Sequence, residues 1–345
     1  MRIVYGVVGE GMGHATRSRV VLEHLLARGH EICVVVSGRA YAFLAERFAG
    51  RLRVEQIHGL HLDYAHNTLD LGRSIVTNLG EAPRGLAHNI KVWRRLDFGA
   101  ELVISDFESW AFFFGLNHDL PVISIDNMQI INRCVHPPEI TRDPSFQLAR
   151  AAVKAKLPGA EHYLITTFFR PPVRKDRTTL VPPILRPEIL AARREPGEHV
   201  LVYQTAGANA NLVPMLQTLP YAFRVYGMGR EGVEGNVTLR PFSEAGFVED
   251  LRTARAVLAG GGFSLMSEAV HLRVPMYSVP IDGQYEQELN ARWLAKLGYG
   301  AWAHRFDRDA VADFLARVPA LTDYVPRDNG ELFAALDGLL SPGTP

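Results

Sequence analysis

Ala256-Val257-Leu258-Ala259-Gly260-Gly261-Gly262-Phe263-Ser264-Leu265-Met266-Ser267-Glu268-Ala269 reads as a short apolar strand over 256–258, a glycine run and a helix opening near Leu265. Glycines ahead of a helix leave its first backbone amides open to an anion, so the stretch has the makings of a diphosphate site. Glu268 follows Ser264 by four residues, which places both on one helical face. A carboxylate there can accept hydrogen bonds from the two hydroxyls of a ribose. A capping box would want the acid three residues after the cap, where Ser267 stands instead.

Outward from this point the same grammar repeats. Short runs at Val200–Gln204, Phe223–Tyr226 and Pro275–Val279 predict further strands in the C-terminal half. In the N-terminal half they fall at Arg2–Val8, Ile32–Val36, Glu101–Ser105 and Val122–Ile125, with helices over Ala15–Arg28 and Trp110–Asn117. Nearly continuous apolar strands separated by helices imply parallel sheets covered on both faces. A length of 345 residues accommodates about two domains. Pro171, Pro172, Pro182, Pro183, Pro187 and Pro196 mark a linker or hinge between them, because proline suits neither a central strand nor a helix interior. The expected division is an N-terminal domain over 1–185, a hinge at 186–197, a second domain over 198–327 and a terminal helix within 328–345.

Two more strand ends carry polar chemistry in the C-terminal half. Gln204-Thr205-Ala206-Gly207-Ala208-Asn209 offers small residues that let backbone amides approach a ligand, as an ordinary turn also would. Glu286 and Gln287, with Asn290 on the same helical face, follow Pro280-Ile281-Asp282-Gly283. An acid and two amides at a helix start suit the hydroxyls of a sugar, and equally a solvated helix face.

The first strand leads into Gly9-Glu10-Gly11-Met12-Gly13-His14. A dinucleotide fingerprint would need a third glycine at position 14, where histidine stands. The positive end of a helix dipole disfavours imidazolium, which suits a histidine that must accept a proton. Asp106, at the end of the strand 101–105, is the candidate to orient that ring, with capping of the next helix as its structural alternative. The loop at Asp126-Asn127-Met128-Gln129 and the segment 61–67 are expected to line a second ligand's pocket.

Composition removes several classes. Lys plus Arg number 37 and Asp plus Glu 37, so an electrostatically driven nucleic-acid binder is not expected. Two cysteines, Cys33 and Cys134, make neither a disulfide framework nor a cysteine zinc site. The start Met1-Arg2-Ile3-Val4-Tyr5 lacks the pattern of a secretory leader, and no apolar run reaches the roughly 20 residues of a membrane span, so a cytoplasmic location is expected. Arg84, His88, Lys91 and Arg95 share one helical face, with Leu86, Ile90 and Trp93 toward another. Such a helix docks on anionic lipid or is simply solvated on its basic side, which leaves peripheral membrane contact open. Asp307-Arg308-Asp309 reads as a helix cap rather than a metal motif.

Together these motifs resemble the GT-B superfamily of nucleotide-sugar glycosyltransferases, most nearly the bacterial GlcNAc transferases that make lipid II and, further off, the UDP-glycosyltransferases. The resemblance rests on Phe247-Val248-Glu249-Asp250, the run from Gly260 to Ala269, and Pro275, Pro280, Glu286-Gln287, Asn290-Ala291 and Leu297-Gly298, with Gly-x-Gly-x-Gly-His at the N-terminus. It implies an α/β fold of two Rossmann-like domains with parallel sheets facing across a cleft. It implies an N-terminal acceptor domain and a C-terminal donor domain. Phe247 and Val248 would border the base, Glu268 would hold the ribose, and Gly261, Gly262, Phe263 and Ser264 with Ala206, Gly207 and Ala208 would cradle the diphosphate. Glu286 and Gln287, with Asn290 beside them, would meet the donor sugar. Gly11 and Gly13 form the glycine loop, His14 is the acceptor's base and Asp106 its orienting acid. No cofactor and no metal are implied, and the terminal helix would pack back on the N-terminal domain. The expected activity is inverting transfer from a nucleoside diphosphate-sugar, UDP-GlcNAc among the candidates, to an acceptor hydroxyl that is lipid-linked or on a small molecule. Glu286 replaces an amide of the lipid II enzymes, which leaves the donor sugar open. A nonhydrolysing UDP-sugar 2-epimerase and a non-catalytic nucleotide-sugar-binding subunit are the alternatives.

Overall fold

A computed structural model describes residues 1–9, 11–59, 64–65, 68–69, 71–204 and 211–341, with the backbone alone over 64–65, 68–69 and 71–82. The strands of the first half are β1 (Arg2–Val7), β2 (Glu31–Val36), β3 (Arg53–Gln56), a hairpin of β4 (Tyr64–Ala65) and β5 (Thr68–Leu69), then β6 (Leu102–Asp106), β7 (Val122–Asp126), β8 (His162–Thr166) and β9 (Thr178–Val181). Its helices are α1 (Met12–Ala27), α2 (Gly38–Arg47), α3 (Leu71–Arg95), α4 (Ser109–Asn117), α5 (Ile130–Arg133), α6 (Pro138–Thr141) and α7 (Pro144–Lys156). The second half has α8 (Pro187–Ala191), β10 (Val200–Tyr203), α9 (Leu212–Gln217), β11 (Phe223–Tyr226), β12 (Gly232–Glu234) and β13 (Val237–Arg240). It continues through α10 (Glu244–Thr253), β14 (Ala256–Ala259), α11 (Phe263–His271), β15 (Met276–Ser278), α12 (Tyr285–Lys296), β16 (Gly300–Trp302), α13 (Arg308–Ala316) and α14 (Gly330–Leu340).

Two compact units result, one comprising Met1–Asp63, Leu71–Arg186 and Asp328–Pro345, the other Tyr64–Asp70 and Pro187–Arg327. Each is built on a seven-stranded sheet, ordered β3-β2-β1-β6-β7-β8-β9 in the first and β12-β13-β11-β10-β14-β15-β16 in the second. The first sheet is parallel throughout, and in the second only β12 pairs antiparallel. Both strand orders reverse direction beside the first strand of the unit, β1 or β10, and such a reversal opens a crevice at the carboxyl ends of the strands.

Burial follows the apolar runs. Ile3, Tyr5 and Val7 of β1 join Val21, Leu22 and Leu25 of α1 in the first core. Val200, Val202, Phe223 and Leu258 join Leu212, Leu216 and Leu315 in the second. The final helix belongs to the first unit. Its Leu332, Leu336 and Leu340 enter that unit's core, and Asp337 Oδ1 lies 2.8 Å from His24 Nε2. The His24 ring stacks on Phe333 at 3.9 Å between centroids.

Several boundaries differ from the sequence expectation, each for a physical reason. Helix α1 starts at Met12 rather than Ala15, because Gly11 adopts φ 83° and turns the chain directly into its first turn. The proline-rich stretch holds a strand, β9, between Pro172 and Pro182; it forms one edge of the first sheet, with prolines outside its span. On α3, His88 Nε2 lies 2.8 Å from the Gln56 carbonyl and Arg95 pairs with Glu55, so part of the basic face meets β3 while Leu86 and Ile90 are exposed. No helix among the described residues is long and apolar enough to cross a membrane.

Candidate functional site

In the first unit, β1 pairs with both β2 and β6, with Val7 beside Val36 on one side and Asp106 on the other. The β1–α1 loop therefore emerges between two strand ends. Gly9 is held against the turn after β2, where its N–H donates to Ser37 Oγ at 3.1 Å and a Cβ would fall 2.2 Å from the Ser37 carbonyl oxygen. Only glycine fits that approach. Gly11 caps α1 in the left-handed region, which puts His14 in the first helical turn.

His14 Nδ1 lies 3.0 Å from Asp106 Oδ1, and Asp106 is 1% exposed. The helix-capping alternative for Asp106 does not apply. Glu108 caps α4 instead, its carboxylate accepting from the Ala111 N–H at 2.6 Å. Between them Phe107 adopts φ 54°, an uncommon conformation for an aromatic residue and the kind of strain that accompanies a constrained site. Burial alone would raise the pKa of Asp106, but the Arg17 guanidinium and then His14 outweigh it and hold the carboxyl well below the usual range. Asp106 is thus an ionised, buried group.

Sequence reasoning missed the rest of this network. Arg17 Nε donates to Asp106 Oδ2 at 2.9 Å, its NH2 makes a shorter contact to Oδ1, and NH1 donates to Asn127 Oδ1 at 2.6 Å. Ser18 Oγ donates to Asp106 Oδ2 at 2.9 Å. His14, Arg17 and Ser18 stand at i, i+3 and i+4 on α1, a spacing that would have drawn them together once Asp106 was placed opposite. Asn127 and Gln129, expected to line a pocket, are buried; Gln129 donates its N–H to Asp126 Oδ1 at 2.8 Å.

In the second unit the glycine run follows β14 as expected, and α11 begins with Gly262 as its N-cap. Gly261 and Gly262 stand in different surroundings. A Cβ on Gly261 would fall 2.2 Å from the Gln287 carbonyl oxygen, so this residue lets the loop pack on α12. A Cβ on Gly262 would meet nothing within 4 Å, so the backbone there borders open space. Gln287 Oε1 accepts from the N–H groups of Gly261 at 3.0 Å and Ile281 at 3.1 Å. Asn290 is buried and donates to the Gly261 carbonyl at 3.1 Å. These two amides brace the loop. Glu286 is partly buried in the same first turn of α12.

Glu268 is 6% exposed and lies one turn into α11. Phe263 is buried, with Ser264 partly so in the same first turn. Phe247 and Val248 are buried on α10, where the Phe247 ring meets Tyr226 edge-on at 5.1 Å. Ala206, Gly207 and Ala208 lie outside the described residues, as do 61–63 and 66–67 of the other expected lining segment. Asp307 Oδ1 accepts from the N–H groups of Asp309 at 3.1 Å and Ala310 at 3.0 Å, so Asp307 caps α13. Among the described residues no group of three His, Cys, Asp or Glu gathers as a metal site.

Two Rossmann-like units, one with a strand-end His–Asp pair and the other with a glycine loop opening a helix, define the GT-B class. Crystal structures agree in fold. The calicheamicin glycosyltransferase CalG4 superposes with a TM-score of 0.62 at 15% identity, covering 100% of both chains. MurG of Acinetobacter baumannii gives 0.59 at 13% identity, covering 98% of this chain and 99% of its own. The Phytolacca americana UGT2, solved with UDP-2-fluoroglucose and pterostilbene, gives 0.62 at 15% identity over 92% of this chain and 88% of its own. The family model described as glycosyl transferase family 1 matches residues 1–319, and the chain belongs to that family. A Methanosarcina mazei protein described as an uncharacterized glycosyltransferase is 26% identical over 337 residues, 87% of this chain and 85% of its own length.

Proposed function

We propose that this family member is an inverting, metal-independent glycosyltransferase that moves a sugar from a nucleoside diphosphate-sugar, most simply a UDP-sugar, to an acceptor hydroxyl. The observation that carries the reading is the His14–Asp106 contact at 3.0 Å, with the carboxylate ionised and buried behind the ring. A proton on Nδ1 donates to Asp106 and leaves the Nε2 lone pair to take the acceptor's proton. The acceptor oxygen then bonds to the anomeric carbon as the bond from that carbon to the diphosphate oxygen breaks. Charge grows on the departing diphosphate, and the amides at the start of α11 are suited to receive it. Glu268 is the ribose ligand in this reading, and Glu286 bears on the choice of donor sugar. A structural neighbour supports the donor class: the Phytolacca protein's structure is complexed with UDP-2-fluoroglucose.

A thermal-shift panel of nucleoside diphosphates and their sugars tests the donor half, followed by an assay of diphosphate release with candidate acceptors. A rise in melting temperature with UDP that is lost in Glu268→Ala supports it. A panel in which no nucleotide has any effect overturns it.

A further inference from the structure

We propose that Arg17 is a positioning residue for proton transfer at His14, holding the Asp106 carboxylate in the one orientation that serves the imidazole. The inference rests on the reading of His14 as the base. Asp106 ends β6, and the side chain that reaches it from α1 is chiefly the guanidinium rather than the ring. Arg17 is 5% exposed and takes both carboxylate oxygens, Nε on Oδ2 at 2.9 Å and NH2 on Oδ1 in a shorter contact. Its third nitrogen, NH1, donates to Asn127 Oδ1 at 2.6 Å, beyond the end of β7. One planar fork thereby ties α1 to the ends of two neighbouring strands. A carboxylate gripped at both oxygens by a rigid fork cannot rotate about its last bond, whereas one gripped by a single ammonium can.

The geometry at His14 gives that restraint its consequence. Nδ1 has two neighbours, Asp106 Oδ1 at 3.0 Å and Arg17 NH2 at 2.7 Å. Arginine has no lone pair to offer, so of these two only Asp106 can accept a proton from Nδ1. If the carboxylate turned away, an Nδ1 proton would face a guanidinium hydrogen. The ring would then move its proton to Nε2, accept from Arg17 through Nδ1 and lose the lone pair that works as the base. The fork keeps Oδ1 in place as the one acceptor an Nδ1 proton has beside the Arg17 donor at 2.7 Å, and the working tautomer depends on it. Ser18 Oγ on Oδ2, at 2.9 Å, adds a hydrogen bond to the same carboxylate without a charge.

The test compares Arg17→Lys, Arg17→Met, Asp106→Asn and the double variant Arg17→Met/Asp106→Asn with the wild type in the full-length protein. Arg17→Lys keeps the buried charge and so serves if Arg17→Met does not fold. Misplacing a catalytic group by about 1 Å can cost 10²-fold, so kcat per folded molecule is expected to fall about 10–100-fold in both single Arg17 variants. The donor KM should stay within about threefold. The double variant should be no slower than Asp106→Asn alone, since Arg17 acts through Asp106. The ¹⁵N shifts of His14 should move from the Nδ1–H toward the Nε2–H tautomer in Arg17→Lys. A kcat in Arg17→Lys within about threefold of wild type, or a double variant slower than Asp106→Asn by the full Arg17 factor, overturns the proposal. His14→Ala is the separate control. If it retains wild-type turnover, the reading of the base fails; if it is inactive while Arg17→Lys is fully active, only the role of Arg17 fails.

Discussion

The loop that leaves β1 and the loop that leaves β14 both follow strands that border the reversal in their sheets, and they meet different electrostatic surroundings. The first is surrounded by formal charge. Asp106 is buried and ionised against Arg17, with the His14 ring beside them. The second is braced by neutral amides, with Gln287 Oε1 accepting two backbone N–H groups and Asn290 donating to the Gly261 carbonyl. A group that must take a proton needs a fixed counter-charge close by, because imidazolium has to be stabilised as it forms. A loop suited to an anion offers open amides and a helix dipole instead of a formal counter-charge. The overall balance of 37 basic and 37 acidic residues is compatible with anion binding of the second kind.

The contrast is broken most directly at His14. His14→Ala should lower kcat by about 10²–10⁴ while leaving nucleoside diphosphate affinity unchanged, the range typical for removing a general base. Steady-state kinetics with a nucleotide-binding control checks this. A variant that turns over at the wild-type rate would remove the reason for the charged loop.

Asp106→Asn probes the same loop through stability. Breaking a buried ion pair costs about 3–5 kcal/mol, so a loss of up to that size is expected near pH 7. Its pH dependence has a definite sign. The folded pKa of Asp106 is depressed, so its stabilisation is fully present above the unfolded value of about 3.9 and is lost as pH falls toward the folded one. Glu108 and Asp126 are shifted upward, mainly by burial, so their penalty is relieved as pH falls; Glu108 cancels in the difference, and Asp126 does so except for the small part of its shift that comes from the Asp106 charge. Denaturant unfolding of wild type and variant should therefore converge as the pH falls below about 4. A gap that widens on acidification would mean that Asp106 is not the ionised partner.

Gly261→Ala addresses the neutral loop. Its Cβ would fall 2.2 Å from the Gln287 carbonyl oxygen, a backbone atom that cannot swing aside. The loop or the start of α12 must shift, at about 1–3 kcal/mol by the usual cost of overpacking. Weaker donor binding with acceptor affinity unchanged is the expected outcome, measured by calorimetric titration of nucleoside diphosphate. Gly262→Ala is the matched control, because the same methyl meets nothing within 4 Å there. If both variants bind alike, the bracing by α12 is irrelevant to the loop.

What the sequence disclosed follows the same division. The alternation of apolar strands and helices, the glycine loops and the pairing of His14 with Asp106 were all legible, because parallel sheets bring successive strand ends together. Arg17 was not. Within Thr16-Arg17-Ser18-Arg19 it looks like a solvent-facing charge, and only the buried carboxylate opposite gives it a reason to be 5% exposed. Strand β9 was hidden because its flanking prolines suggested a linker; an edge strand tolerates them outside its ladder. For Gln287 the pattern left a sugar contact and a solvated helix face open, and its oxygen accepts from two backbone amides whose positions no local pattern encodes.

The smallest expected effect tests whether Asp307 does anything beyond capping a helix. Asp307 accepts from two backbone N–H groups at the start of α13, which is the work of a helix cap. Asp307→Ala should cost about 0.5–2 kcal/mol of stability, read by thermal or denaturant unfolding, and leave turnover within about twofold with or without added divalent cation. A ligand role would behave otherwise, because loss of a metal-holding carboxylate removes activity out of proportion to stability and leaves a residue that responds to cation concentration. Asp309→Ala separates the two further. Asp309 contributes its N–H to the cap rather than its side chain, so its substitution should be nearly silent in stability. A large kinetic effect there would give Asp309 a part in the chemistry that its place in a helix cap does not explain.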